Sequence, residues 1–267
     1  MTFAMYTPLV GISILAYVLS AFILSARLGD PNRMRRRALI LSLVALVTHV
    51  AALIGVFTET SFVKVNLFIS LTIITFILSF LNTIRGDHPA SLLIRPAIYG
   101  LAALSLVTVL LVPAEVGRPI YMTPIFALHM SLALIASAIL TLATFYGVQL
   151  LYVNRLLKQR SAKAVSHRIP PLMSIEQYFF RLLTTGTIVL LLAMIVGFIY
   201  LEDLFARGQL HKTIFSIMAL LAFGGIVIIH YWRGLRGRIA VYLTLLASSL
   251  LILGYFGSRF VRDIIIS

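Results

Sequence analysis

The sequence predicts an all-α membrane protein, a polytopic bundle of about eight transmembrane helices forming one integral membrane domain over residues 1–267. Of the 267 residues, 61% are hydrophobic and only 11% are charged, and the mean hydropathy is +1.05. Many apolar stretches are close to the roughly 20 residues that a helix needs to cross a bilayer. These stretches are continuous rather than alternating, so the pattern favours helices over a β-barrel.

The predicted spans can be placed in chain order by their apolar runs and the charged residues around them. They cover approximately residues 5–26, 38–58, 65–84, 96–113, 123–153, 182–201, 212–232 and 239–258. The basic residues that flank these runs are, in order, Arg27, Arg37, Arg85, Arg95, Arg155, Arg181, Lys212, Arg233, Arg238 and Arg259. The segment 172–181 carries polar and aromatic residues, and we expect it to lie along the membrane interface before the sixth span.

Basic residues predict the orientation of the chain. Sixteen of the 22 lysines and arginines fall in the alternate loops 27–37, 85–95, 154–181 and 233–238. Because cytoplasmic loops are enriched in lysine and arginine, these loops are predicted to face inward and both termini outward. The same alternation explains the net charge of +14 through membrane topology, so we expect no nucleic-acid partner.

Four histidines lie within or at the edges of the apolar segments, and they are the candidate functional residues. His129 and His211 are predicted near the outer face, His49 near the middle and His230 near the inner face. An ionisable side chain in a membrane span usually faces a partner, a ligand or water, and neutral imidazole is a common haem ligand. The alternatives are a packing seam for His129, a solvated helix start for His211, a buried hydrogen bond for His49 and an interfacial position for His230.

The absence of cysteine narrows the possible chemistry. With no cysteine in the chain, disulfides, thiolate metal sites and covalent attachment of c-type haem to this chain are excluded. The sequence also contains no phosphate-binding glycine loop and no hydrolase or metalloprotease motif. A metal would therefore need histidine, methionine or carboxylate ligands.

Several segments together resemble the cytochrome c assembly family of haem-handling membrane proteins, in its short eight-span branch with the HemX-like proteins. The strongest match is HKTIFSIMALLAFGGIVIIHYWRGLRGRIAVYLTLLASSLLILGYFGSRFV over residues 211–261. The other matching segments are LHMSLALIASAIL (128–140), IPPLMSIEQYFFRLLTTGTIVL (169–190) and THVAAL (48–53). The resemblance covers most of the chain and implies a multi-pass protein of the bacterial inner membrane.

The resemblance also implies a cofactor, haem b, and its ligands. It identifies His129 and His230 as axial ligands of haem iron, with His211 and His49 as further cofactor-binding histidines. The family's tryptophan-rich outer loop has no counterpart here, because the only tryptophan is Trp232 at the predicted inner face. The expected partners are haem and membrane lipid. Without that loop, we expect at most an accessory role in haem attachment and no enzyme activity.

Three functions fit the sequence. The first is a haem-binding protein for haem handling, cytochrome c assembly or tetrapyrrole homeostasis, with bis-histidine ligation inside the membrane. The second is a non-enzymatic regulatory subunit of a transporter or biosynthetic enzyme that keeps the fold without haem and contacts a membrane or cytosolic protein through loop 154–181. The third is a b-type electron carrier, which needs two haems and a quinone site.

Overall fold

The computed structural model describes residues 3–26, 31–58, 66–86, 88–111, 123–159, 171–200 and 210–257. Within these ranges the chain forms helices and no strand. They are α1 (Phe3–Ala26), α2 (Pro31–Thr58), α3 (Leu67–Ile84), α4 (Pro89–Leu111), α5 (Pro124–Lys158), α6 (Leu172–Tyr200), α7 (Leu210–Arg233) and α8 (Gly237–Ile252), which continues into a π-helical turn, Leu253–Gly257. Eight of the described helices are long and apolar enough to cross a membrane, which confirms the predicted fold class.

The described helices cluster into two compact units. The N-terminal unit comprises Met1–Met122 and contains α1–α4, and the C-terminal unit comprises Thr123–Ser267 and contains α5–α8. In the N-terminal unit α1 packs on α2 and α4, and α3 packs on α4. In the C-terminal unit α5 and α6 form the longest helix–helix contact, and α8 packs on α5 and α7. The single domain over 1–267 stays a prediction.

The N-terminal unit buries polar side chains among its apolar core residues and exposes large apolar side chains, as expected for helices in lipid. Ser13, Thr75 and Asn82 are fully buried, whereas Leu15 and Val47 are each 64% exposed. Some of the buried hydroxyls are hydrogen-bonded between helices; for example, Ser13 Oγ and Thr48 Oγ1 are 2.7 Å apart. Such bonds hold membrane helices together because lipid provides no partner for a polar group.

Two helix starts are set by local sequence. Asn66 precedes α3, and its Oδ1 accepts a hydrogen bond from the Ile69 backbone N–H at 2.8 Å. Thr123 precedes α5, and its hydroxyl accepts from the Phe126 N–H at 3.2 Å, with Pro124 at the first helical position. A side-chain acceptor before the helix and a proline at its first position are both favourable at helix N-termini.

Arg95 corrects the predicted start of the fourth span. The sequence placed it in a loop before residue 96, but α4 begins at Pro89, and Arg95 lies inside it, only 1% exposed. Its guanidinium donates to the carbonyls of Gly86 at 2.6 Å and Asn82 at 3.2 Å. Arg95 therefore binds carbonyls at the C-terminal end of α3, where the helix dipole favours a cation.

The sixth helix also differs from the prediction. Residues 172–181 do not form a separate interfacial segment, because α6 runs without a break from Leu172 to Tyr200. Pro171 provides the first carbonyl acceptor of this helix, and no glycine or proline interrupts residues 172–181. Most of loop 154–181 consequently belongs to α5 and α6, and residues 160–170, with His167, lie outside the described part of the chain.

Candidate functional site

His129 lies near the start of α5 and bonds to the backbone of α6. Its Nδ1 is 2.8 Å from the carbonyl oxygen of Ala193. A carbonyl can only accept, so Nδ1 carries the proton in this hydrogen bond, and in the neutral imidazole Nε2 keeps its lone pair. The ring is partly buried. The contact therefore fixes both the orientation of the imidazole and the tautomer that can ligate a metal.

His230 has the same arrangement at the last turn of α7. Its Nδ1 donates to the Leu235 carbonyl oxygen at 2.7 Å, within the turn that leads to α8. Phe180 of α6 stacks on the imidazole with ring centroids 3.5 Å apart and an interplanar angle of 9°. One face of the ring is therefore covered, while Nε2 is left with a lone pair.

The two histidines contact α6 at different levels. His129 meets Ala193, and His230 meets Phe180, which is thirteen residues earlier on the same helix. At 1.5 Å per residue the two levels are about 20 Å apart along α6. One iron cannot bind both rings, so His129 and His230 belong to two separate positions in the C-terminal unit.

A cleft opens beside His230 at the arginine-rich end of α6 and α7. Its volume is about 580 Å³, within the range of small-molecule pockets. The lining residues are Met173, Glu176, Gln177, Phe180, Arg181, Thr184, Thr185, His230, Tyr231 and Arg236. The carboxylate of Glu176 accepts a hydrogen bond from the Gly237 backbone N–H at 2.9 Å, which fastens the α7–α8 turn to α6.

The α7–α8 turn also depends on glycine. Gly234 and Gly237 both have φ of +69°, a left-handed conformation that glycine adopts without a steric penalty. This turn presents the Leu235 carbonyl to His230 and holds Arg236 at the edge of the cleft. The local sequence therefore provides the hydrogen-bond partner of His230, whereas the rest of its surroundings comes from α6.

His49 belongs to the N-terminal unit and is fully buried in α2. Its Nδ1 lies 3.2 Å from the hydroxyl of Tyr17, and the edge of Phe76 packs against the ring. Its Nε2 has no hydrogen-bond partner among the described residues. A buried imidazole nitrogen without a partner is uncommon and marks His49 as a candidate for a bound water or ligand.

The remaining predicted ligand is His211. The first turn of α7 contains it, but its side chain lies outside the described part of the structure. Within the described residues, no three histidine, aspartate or glutamate side chains form a cluster suited to a metal ion. Phe180, Arg181 and Arg236 were missed by the sequence reasoning as site residues, although Arg181 and Arg236 were recognised as topological charges.

Comparison with known proteins decides the family. The model of the cytochrome c assembly protein family matches residues 37–266. The chain belongs to this family. Membership in the cytochrome c assembly family indicates a haem-related function in the membrane and favours a haem-handling accessory over a classical enzyme.

One relative matches nearly the whole chain and another matches about half of it. The inner membrane protein YpjD of Escherichia coli strain K12 is 30% identical over 262 residues, covering 95% of this chain and 97% of YpjD. An uncharacterized 28.8 kDa protein of Azospirillum brasilense is 31% identical over 141 residues, 52% of each chain. No solved structure matches the chain. With eight candidate spans among its described helices, this cytochrome c assembly family member is a multi-pass inner-membrane protein.

Proposed function

We propose that this protein binds haem b in the inner membrane, with His129 and His230 as axial ligands of iron at two separate levels. One observation carries the proposal: both imidazoles donate from Nδ1 to a backbone carbonyl, at 2.8 Å for His129 and 2.7 Å for His230. Metal-ligating histidines typically bind a carbonyl or carboxylate in this way, because the bond orients the ring and makes Nε2 a better donor.

The residues around each position fit a haem. His230 lies in a cleft, its imidazole plane is fixed by the stacked Phe180, and the cleft lining includes the guanidinium groups of Arg181 and Arg236. His129 is partly buried near one end of α5, on a predominantly apolar helix. Haem supplies a redox-active iron with open axial positions, and the chain supplies neutral imidazoles, apolar walls and positive charge.

Bis-histidine ligation remains part of the proposal. His211 and His49 are the other two imidazoles of the apolar segments and are proposed as further haem-binding histidines. The Nε2 of His49 has no hydrogen-bond partner among the described residues, which is the state that a ligating nitrogen requires. Ligand pairing can be read from spectra, since bis-imidazole haem is low-spin and mono-imidazole haem is not.

The proposed role is to hold and transfer haem for cytochrome c assembly or tetrapyrrole homeostasis. Two ligand positions about 20 Å apart along α6 suit a protein that receives haem at one level and releases it at another. The segment between α6 and α7 contains no tryptophan, because the chain's single tryptophan is Trp232. This favours holding haem over presenting it alone to an apocytochrome.

The test is an absorption spectrum of the detergent-purified protein, as isolated and after addition of haem. We expect a Soret band that decreases in His129→Gly and in His230→Gly and disappears in the double variant. Added imidazole should restore the band in each single variant, because it replaces the missing ligand without repairing a folding defect. His88→Gly is the control, since His88 lies outside the spans.

Two results would overturn the proposal. A folded protein without a Soret band, even after haem addition, would favour a regulatory subunit that keeps the fold without the cofactor. A Soret band that is unchanged in the double variant would show that neither histidine is a ligand.

A further inference from the structure

The cleft beside His230 carries positive charge without a matching partner. Arg181 lies on α6 and Arg236 immediately precedes α8, and both line the cleft and are exposed. Neither guanidinium forms an ion pair with any residue that the structure describes. Glu176 is the one acidic residue of the lining, and its carboxylate already accepts the Gly237 N–H.

The rest of the lining has the character of a ligand site. Phe180 stacks face to face on His230 and is only 5% exposed, so it fixes the plane of the imidazole. The hydroxyl oxygen of Thr184 is buried and has no hydrogen-bond partner among the described residues. A cleft that combines an oriented imidazole, an unused hydroxyl and two guanidinium groups matches a ligand that carries both a metal and anionic groups.

We propose that Arg181 and Arg236 bind the two propionates of the haem whose iron is ligated by His230. This inference rests on the proposed function, because it requires haem at His230. Guanidinium groups form paired, charge-assisted hydrogen bonds with carboxylates, and their location at the edge of the cleft leaves the propionates in contact with water. The buried Thr184 hydroxyl donates a further hydrogen bond to the same ligand.

The two guanidinium groups recognise an oxyanion, and a phospholipid headgroup carries one as well as a haem propionate. The volume of about 580 Å³ and the oriented His230 imidazole favour the porphyrin, since haem iron takes an axial nitrogen ligand and a lipid headgroup does not. The experiment therefore compares the propionates with both an esterified porphyrin and an anionic lipid.

The test uses the full chain carrying His129→Ala, which leaves only the inner position, in nanodiscs of zwitterionic lipid. Haemin and haemin dimethyl ester, which lacks the carboxylate charges, are titrated separately and followed by the Soret band. We expect Arg181→Gln and Arg236→Gln each to weaken haemin binding about tenfold, the lower end for a charge-assisted bond because both groups are exposed. Ester binding should stay unchanged in both variants.

Arg233→Gln is the matched control, because Arg233 is an exposed arginine of the same region that does not line the cleft. It should bind haemin and the ester like the parent. A second arm replaces part of the zwitterionic lipid with phosphatidylglycerol. If the guanidinium groups bind propionates, this lipid should leave the difference between haemin and its ester intact.

Each contrary result is distinguishable. Equal weakening of haemin and ester by the arginine variants would indicate a general structural effect and overturn the inference. Arginine-dependent retention of phosphatidylglycerol without preference for haemin over its ester would assign the cleft to lipid. Absence of a Soret band in the wild type would instead overturn the proposed function itself, whereas a normal band unaffected by the arginine variants would remove only the propionate contact.

Discussion

Gly186 of α6 lies directly against Leu140 and Ile139 of α5, and its replacement by alanine should be destabilising. A Cβ at this position would lie 2.8 Å from both Cγ and Cδ2 of Leu140 and 3.2 Å from Cγ2 of Ile139. Leu140 is 1% exposed, so it has little space into which it can rotate. The alanine methyl group therefore pushes α6 away from α5.

The magnitude follows from two opposing effects. Carbon atoms prefer separations of about 3.5–4.0 Å, so two contacts would be roughly 1 Å too short. Overpacking of this kind lowers the free energy of unfolding by about 2–3 kcal/mol, and the better helix propensity of alanine offsets about 1 kcal/mol. The net expectation for Gly186→Ala is a loss of about 1–2 kcal/mol.

Gly225 in α7 provides the matched control. A Cβ there would meet nothing within 4 Å, so Gly225→Ala should gain up to about 1 kcal/mol from helix propensity. Unfolding by sodium dodecyl sulfate in mixed micelles, followed by circular dichroism, measures both variants. Leu140→Ala should relieve the clash, so the double variant with Gly186→Ala should be more stable than the sum of the single effects by about 0.5–3 kcal/mol. Equal stability of the two glycine variants, or strict additivity with Leu140→Ala, would refute the reasoning.

Three further predictions concern other parts of the chain. Tyr17→Phe removes the partner of His49 Nδ1 and should lower the free energy of unfolding by about 0.6–1.7 kcal/mol, measured in the same micelles; unchanged stability would mean that this bond contributes nothing. Gly237→Ala forces a side chain onto φ +69° and should destabilise the protein by about 1–2 kcal/mol, measured the same way, whereas a neutral effect would show that the turn relaxes. Since the chain has no cysteine, single cysteines at Thr123 and Lys158 can report topology. An impermeant maleimide should label the cysteine at 123 in intact cells and the cysteine at 158 only after permeabilisation. The reverse labelling pattern would show that the predicted orientation is inverted.

The sequence predicted the helices well because their main determinant is visible in it. Runs of about 20 apolar residues must cross the bilayer as helices, and eight such helices are present in the described structure. The boundaries at Arg95 and Leu172 were less predictable. A prediction from hydropathy places an arginine in a loop, outside the apolar span. Arg95 is nevertheless buried, because the carbonyls of Asn82 and Gly86 accept its hydrogen bonds. Those acceptors are backbone atoms and leave no signal in the side-chain pattern.

The candidate site, like the fold, was only partly predictable from the sequence. Four histidines could be selected from sequence because ionisable residues are rare in membrane spans, and the family resemblance favoured His129 and His230 among them. Their hydrogen-bond partners could not, since Ala193 contributes only a backbone carbonyl from another helix. Phe180 likewise lies 50 residues before His230 in the chain, so its stacking depends on how α6 packs on α7.

Helix α6 links the two proposed haem positions through its contact with α5. Phe180 meets His230, Ala193 meets His129, and Gly186 lies between them, where α6 packs against Leu140 of α5. Because α6 is one continuous helix, a displacement at Gly186 moves both contact points rather than one. A single packing change would therefore alter the orientation of both imidazoles, whereas substitution of either histidine alone would affect one position. The Soret band of Gly186→Ala should therefore report changes at both positions, whereas that of each single histidine variant should report a change at one. This comparison distinguishes the role of a ligand from the role of the helix that positions it.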